Sequence, residues 1–370
     1  MFKTKEGSTR ALLELCGGYL FFYVIYTMMT KYITGPAKAG LPGVDQIERL
    51  IFSTVGGSRI CLLVVLFGRW ARMESAHMIT WGKLRFPVEY LYIIPSGICT
   101  AVIIPTTTLM YTLLRSVMVA MLIMRGAIIV ISRLIDAIQI KAGILHKKVY
   151  WEEELACVFA IMAVCTQLFF VKGGAGEAEL FHNATAMMVL GGYLLAYAIR
   201  IYIMNYYKNT RGKGCQQNNK AFFGVEQVSA SGAILIALLA VLLLPAARPN
   251  LLYTLQMNYW SHSPYVGGEV LTGTAYGIVA FFSVFIFMFK GRTATFAGLS
   301  NRLTSLIAGT VATLLFALFF QGHYPKMEDW ISLVFIFIAV GFMTRVEIKR
   351  AAELKREGEI CETPAPAPAK

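Results

Sequence analysis

Charge is scarce in this chain. Only 15% of its 370 residues are Asp, Glu, Lys or Arg, against roughly 25% in soluble domains. With 57% hydrophobic residues and a mean hydropathy of +0.60, it has too little polar surface for a soluble domain, which excludes that class. The seven cysteines are scattered, mostly within apolar runs, with no CxxC and no Cys/His ligand spacing. That excludes a thiolate metal centre and leaves free thiols. No GxxxxGK[ST] occurs, so direct drive by ATP is not expected, and no cofactor is implied. No sizeable soluble segment is present, which speaks against a scaffold or sensor. The first apolar run is about 23 residues long and lacks a small-residue cleavage site, so it is expected to stay as a first span.

Long apolar runs are what the chain does have. Ten emerge from the hydropathy, at roughly 11–33, 48–68, 88–112, 115–138, 152–171, 184–206, 226–246, 271–289, 293–320 and 329–347. Each approaches the ~20 residues that cross a hydrocarbon core of about 30 Å. The expected fold class is an all-α polytopic membrane protein with ten transmembrane helices. Pro95 and Pro105 in the third run are tolerable in a membrane helix and mark kinks. The tail from 348 to 370 is polar and ends in TPAPAPAK, a composition that builds no core, so it reads as disordered.

The +13 charge could suggest nucleic acid, but its distribution assigns it to loops. Placing the N-terminal segment 1–10 inside puts 22 Lys and Arg on the inner side, 7 on the outer side and five within spans. This contrast predicts ten spans with both termini cytoplasmic. The expected surroundings are the lipid bilayer of a cell (inner) membrane, with a Golgi or other endomembrane as the alternative. No nucleic-acid partner is expected, and the assembly is a monomer or homodimer.

The five intramembrane arginines are the candidates for chemistry. Arg125 lies about ten residues into the fourth run, and Arg302 about ten into the ninth. A charge at such depth costs about 2.5–3.5 kcal/mol, so it faces a protein interior, a partner or water. The 177-residue offset between them recurs between His146 and His323. CGGYLFFYVIY at 16–26 matches LGGYLLAYAIR at 190–200 with an offset of 174. These matches at one near-constant offset imply an internal repeat, 11–171 and 184–347. Five spans per unit is an odd number, so the copies lie in opposite orientations. Two inverted five-helix repeats are an architecture of secondary transporters, with the substrate near the midplane.

MRGAIIVISRLIDA on the fourth span, the short basic loop, WEEELACVFAIMAV on the fifth and LSNRLTSLIAGTVATLLF on the ninth resemble the drug/metabolite transporter superfamily. The nearest branches are the EamA-like and nucleotide-sugar-transporter-like proteins of the solute carrier 35 group. The resemblance spans roughly 11–347 and implies ten helices and metabolite transport.

On this reading Arg125 and Arg302 bind an anionic small-molecule substrate, since a guanidinium stays charged and its fork matches oxyanions. Arg59, mid-span on the second helix, is a further cavity candidate. Asn301 and Thr304 flank Arg302 as polar lining, as do Thr106 and Thr107. Tyr19 and Tyr193, each followed by another tyrosine four residues on, line a cavity or serve packing. Arg133 and Asp136, three apart, are expected to pair as a gate near the cytoplasmic end. Arg200 is expected to snorkel at the inner end of its span. Glu14 and Glu226 open spans where a carboxylate suits the helix dipole, with proton coupling as the alternative. Asn183 heads a glycosylation sequon.

The expected function is a secondary transporter, not an enzyme, moving a small anionic metabolite by alternating access. The alternatives are an exporter of amino acids or drug-like compounds, or a membrane-embedded transferase. For the last, Glu152, Glu153 and Glu154 are the acid/base candidates, although their place at a helix start favours capping.

Overall fold

The computed structural model describes residues 8–35, 40–44, 46–70, 73, 75, 78–81, 84–113, 117–170, 184–210, 217–243, 265–320, 324 and 327–362. Among these residues the protein has ten α-helices and one short hairpin. The helices are α1 (Thr9–Thr34), α2 (Gln46–Gly68), α3 (Tyr90–Leu113), α4 (Val117–Lys141), α5 (Trp151–Phe170), α6 (Ala184–Thr210), α7 (Asn219–Leu243), α8 (Val266–Phe287), α9 (Ala294–Phe320) and α10 (Met327–Glu362). Strands β1 (Met78–Trp81) and β2 (Leu84–Pro87) pair antiparallel between α2 and α3. Asn183, Arg115, residues 1–7 and residues 363–370 lie outside the described residues.

Among the described residues, eight helices are long and apolar enough to cross a membrane: α1, α2, α3 and α6 to α10. Helix α4 carries Arg125, Arg133 and Asp136, and α5 opens on three glutamates. One boundary differs from the sequence expectation. Helix α10 does not stop near 347 but runs to Glu362, well into the tail read as disordered. Its extension is anchored: Tyr150 donates to Glu353, and Arg350 Nη2 donates to the Lys148 carbonyl at 2.6 Å.

Packing is set by small residues where helices cross. A Cβ on Gly273 of α8 would lie 2.0 Å from the Ser53 carbonyl oxygen of α2, and one on Gly56 would lie 2.1 Å from the Val270 carbonyl oxygen. Helices α3 and α7 approach in the same way, with Gly97 facing the Glu226 carbonyl oxygen at 2.6 Å. Only glycine allows such contact, and close backbone approach is how membrane helices gain dispersion energy. Other neighbours include α1 with α8 and α9, α6 with α3 and α4, α4 with α5 and α9, α10 with α5 and α9, and α2 with α7.

Both ends of the described chain meet at one end of the bundle. Thr9, in the first turn of α1, donates to Glu347 of α10 at 2.8 Å. This terminal end is held by buried ion pairs. Arg292 pairs with Glu347 at 2.7 Å through Nε. Glu152 receives Lys349, and Glu153 receives Arg350 at 3.4 Å and the Thr293 hydroxyl at 2.7 Å. At the exposed rim of this end, Glu154 pairs with Arg133 at 2.6 Å. A cluster of rings joins the end of α2 to α7 and α8. Phe281 is 5.7 Å from Trp70, 5.5 Å from Phe223 and 4.4 Å from Phe285, measured between centroids.

Candidate functional site

A cavity of about 170 Å³ lies among α1, α2, α3, α4, α6, α7, α8 and α9. Among the described residues, α5 and α10 contribute nothing to its lining, and four arginines (Arg49, Arg125, Arg200 and Arg302) and six tyrosines border it with no Asp or Glu. Guanidinium groups in such a setting stay charged, so the lining attracts anions.

Two of the arginines sit in matching surroundings. Arg125 Nη2 donates to the Tyr23 hydroxyl at 2.7 Å, and its guanidinium carbon lies 5.7 Å from that ring's centroid. Arg302 lies over Tyr197 at 5.3 Å. Each of these tyrosines has a partner one turn earlier. Tyr19 and Tyr23 have centroids 5.4 Å apart, and Tyr193 and Tyr197 are 4.8 Å apart. The cause is local: i and i+4 stand on one helix face, so a Tyr-x-x-x-Tyr run aims both rings into the same space. A cation over a ring gains roughly 2 kcal/mol when desolvated, which helps hold each guanidinium in place. Tyr19 lines the same cavity as Arg125 and Arg302.

Arg302 differs from a structural arginine. It is buried, and its Nε has no hydrogen-bond partner among the described residues. A buried charged donor left unbonded is costly, and an oxyanion in the cavity is a natural acceptor for this guanidinium. Neighbouring Asn301 also lines the cavity and is fixed by donating to the Ser283 hydroxyl at 3.0 Å. Toward the other end, Arg49 Nη2 donates to the Tyr26 hydroxyl at 3.2 Å.

Several expected site residues stand elsewhere. Arg59 is exposed on α2 and does not line the cavity, although its neighbour Ser58 does. Thr106 is turned back onto the Val102 carbonyl at 2.7 Å, beside Pro105, and only Thr107 reaches the lining. Hydroxyls commonly satisfy backbone groups near a helix proline. Thr304 donates to the Ser300 carbonyl at 2.7 Å and is also off the lining.

Arg133 and Asp136 do not pair with each other. Arg133 takes Glu154, while Asp136, fully buried, accepts the backbone N–H groups of Ala294 at 2.9 Å and Thr295 at 2.6 Å. It thus caps α9 from another helix, satisfying donors that the first turn leaves orphaned. Asn205 adds a bond to Asp136 at 3.2 Å.

The sequence reading misses the pair Arg200 and Glu226. Arg200 does not snorkel; it is 8% exposed, borders the cavity, and donates from Nε to Glu226 at 2.8 Å. Glu226 is not at a helix start but eight residues into α7, and it is fully buried. Half of this is legible in hindsight. Tyr193, Tyr197 and Arg200 recur at i, i+4 and i+7, one helical face. The partner on α7 carries no such signal.

No known family and no curated protein matches the chain. It is similar to a solved structure described only as "Crystal structure of protein", at 14% identity, with 92% of this chain and 99% of that chain covered and a TM-score of 0.54. That likeness concerns the fold. What the chain and its structure establish is an all-α protein with eight helices suited to crossing a membrane, enclosing an arginine-lined cavity.

Proposed function

We propose that this protein is a secondary transporter of a small anionic metabolite, working by alternating access. The observation that carries the reading is the cavity's charge: among the described lining residues there are four arginines, two of them on duplicated tyrosine shelves and one paired with Glu226 behind the wall, and no carboxylate. A binding space of about 170 Å³ suits a compact solute.

The second part of the proposal is that α4 and α5 also cross the membrane, giving ten spans in two inverted five-helix repeats. Three observations support it. Exchanging α1–α5 with α6–α10 maps the most extensive helix neighbours onto one another. The α1 pairs with α8 and α9 become the α6 pairs with α3 and α4, α2–α8 becomes α7–α3, and α4–α5 becomes α9–α10. The contacts repeat at side-chain level too. Lys31 of α1 bonds Thr313 of α9 at 2.6 Å, and Asn205 of α6 bonds Asp136 of α4 at 3.2 Å. These positions match at offsets of 174 and 177, as do the two Arg–Tyr stations. Finally, the ionisable groups of α4 and α5 are directed inward or paired, as a span requires.

The same architecture and motifs make membership of the drug/metabolite transporter superfamily our reading of its ancestry. The terminal end is then cytoplasmic.

The test is a thermal-shift screen of the purified protein in detergent. It compares sugar phosphates, nucleoside phosphates, nucleotide sugars, carboxylates, amino acids and cationic drugs. A ligand that binds only the folded state raises the melting temperature. Stabilisation by an anionic class, followed by saturable uptake of that class into proteoliposomes, is the expected result. Stabilisation by cations or neutral solutes alone sinks the anion reading.

A further inference from the structure

The ion pair in the cavity wall has a second use beyond binding. Glu226 Oε1 accepts from Arg200 Nε at 2.8 Å, Ser96 Oγ at 2.7 Å and Thr100 Oγ1 at 3.3 Å, and Oε2 accepts from Arg200 Nη2 at 3.2 Å. Arg200 also borders the cavity, so one guanidinium touches Glu226 and faces the space where an anion sits. An oxyanion drawing on Arg200 weakens its hold on the glutamate. A buried carboxylate deprived of its cation is strongly disfavoured, and a group in that position takes up a proton.

The surroundings suit both protonation states. Thr100 Oγ1 lies 3.1 Å from the Ser96 carbonyl oxygen as well as 3.3 Å from Glu226 Oε1. Its hydrogen therefore has two acceptors. With Glu226 ionised, the hydroxyl donates to the carboxylate. With Glu226 protonated, the hydroxyl turns to the Ser96 carbonyl and its oxygen accepts from the new acid O–H. The Thr100 hydroxyl keeps an acceptor in either state. Thr100 also lines the cavity, which gives the proton a way in.

The other ionisable groups facing the pair are Cys99 on α3, Cys61 on α2, Tyr197 on α6 and Tyr276 on α8. Thiols and phenols are ordinarily neutral at pH 7. On α7 itself, Lys220 is turned to the Trp70 ring, 5.8 Å from its centroid. Arg200 thus sets the charge balance at Glu226.

We propose that the protein couples anion transport to protons, Glu226 accepting one proton from the aqueous cavity as the anion engages Arg200. The inference rests on the anion-transport reading. The step is balanced: one carboxylate and one proton give one carboxylic acid, and the anion keeps its charge.

Sulfate is the probe, because it is an oxyanion that does not titrate near neutral pH. Its affinity for the full chain in detergent is measured by thermal shift between about pH 5 and 8, against chloride at equal ionic strength. One linked proton makes binding tighten by up to about tenfold per unit fall in pH. Glu226→Gln flattens that slope, and Glu226→Asp, which keeps a carboxyl, restores it. A measurement on the unaltered protein stands beside these in case Glu226→Gln does not fold. Adding sulfate to a weakly buffered sample should raise its pH, by up to one proton bound per protein. Sulfate binding with no pH slope and no proton uptake overturns the coupling while leaving the anion reading intact. So does a slope that persists in Glu226→Gln. No sulfate binding at any pH removes both.

Discussion

Replacing Arg302 by Met should remove anion binding without weakening the fold, and this pairing of outcomes is what distinguishes a ligand-binding arginine from a structural one. Met keeps much of the length and apolar volume of the side chain. The fold loses the contact with Tyr197, the guanidinium lying 5.3 Å from the ring centroid and sharing a side-chain hydrogen bond with it, together worth roughly 2 kcal/mol. Against that, it sheds a buried charge whose Nε has no bond among the described residues. An unsatisfied buried donor costs about 1–3 kcal/mol or more when charged. The two nearly cancel, so the ligand-free melting temperature should hold or rise. Anion binding loses one or more charge-assisted hydrogen bonds at about 1.5–3 kcal/mol each, which is a weakening of roughly 10- to 150-fold. Ligand at 100 times the original dissociation constant stabilises by about 2.7 kcal/mol, and about half to nine-tenths of that shift disappears. Arg302→Lys should recover only part of it, because a point charge lacks the fork. Arg59→Ala, on the exposed face of α2, should leave both readouts unchanged. The reasoning fails if Arg302→Met keeps the anion shift, or if it lowers stability by more than about 3 kcal/mol, the range of a broken buried pair.

Two other substitutions probe the frame around the cavity. Asp136→Ala strands the N–H groups of Ala294 and Thr295 at the start of α9. Unfolding in detergent should show a loss of about 2–5 kcal/mol, with Asp136→Asn recovering part, since an amide oxygen accepts but carries no charge for the dipole. Gly273→Val places a side chain where a Cβ would already stand 2.0 Å from the Ser53 carbonyl oxygen. It should force α2 and α8 apart, seen as lost monodispersity or a much lower melting temperature on size-exclusion analysis. A well-behaved Gly273→Val protein argues that this crossing is not tight.

What the sequence decides follows from solvent and period. Apolar runs long enough for a bilayer leave helices as the available structure, because a helix satisfies its own backbone. Their number and approximate limits therefore read directly from hydropathy, and the ten runs correspond to ten helices. Arg125, Arg302 and the tyrosines at i and i+4 are legible for a related reason. A charge in an apolar run is conspicuous, and helical spacing fixes its face.

Side-chain partners are a different matter. Asp136 and Arg133 look like a pair at i, i+3, yet one caps a helix 158 positions on and the other binds Glu154. Arg200 finds its carboxylate 26 positions away, and Glu153 finds Arg350 at 197. Arg59 looks as buried by sequence as Arg125, but its face of α2 turns outward. A local pairing rule compares only neighbours on one helix. Which helices come together, and by what rotation, is settled by close contacts such as Gly273 on Ser53 and Gly97 on Glu226. Those contacts decide which charges meet, and so which remain to face the cavity.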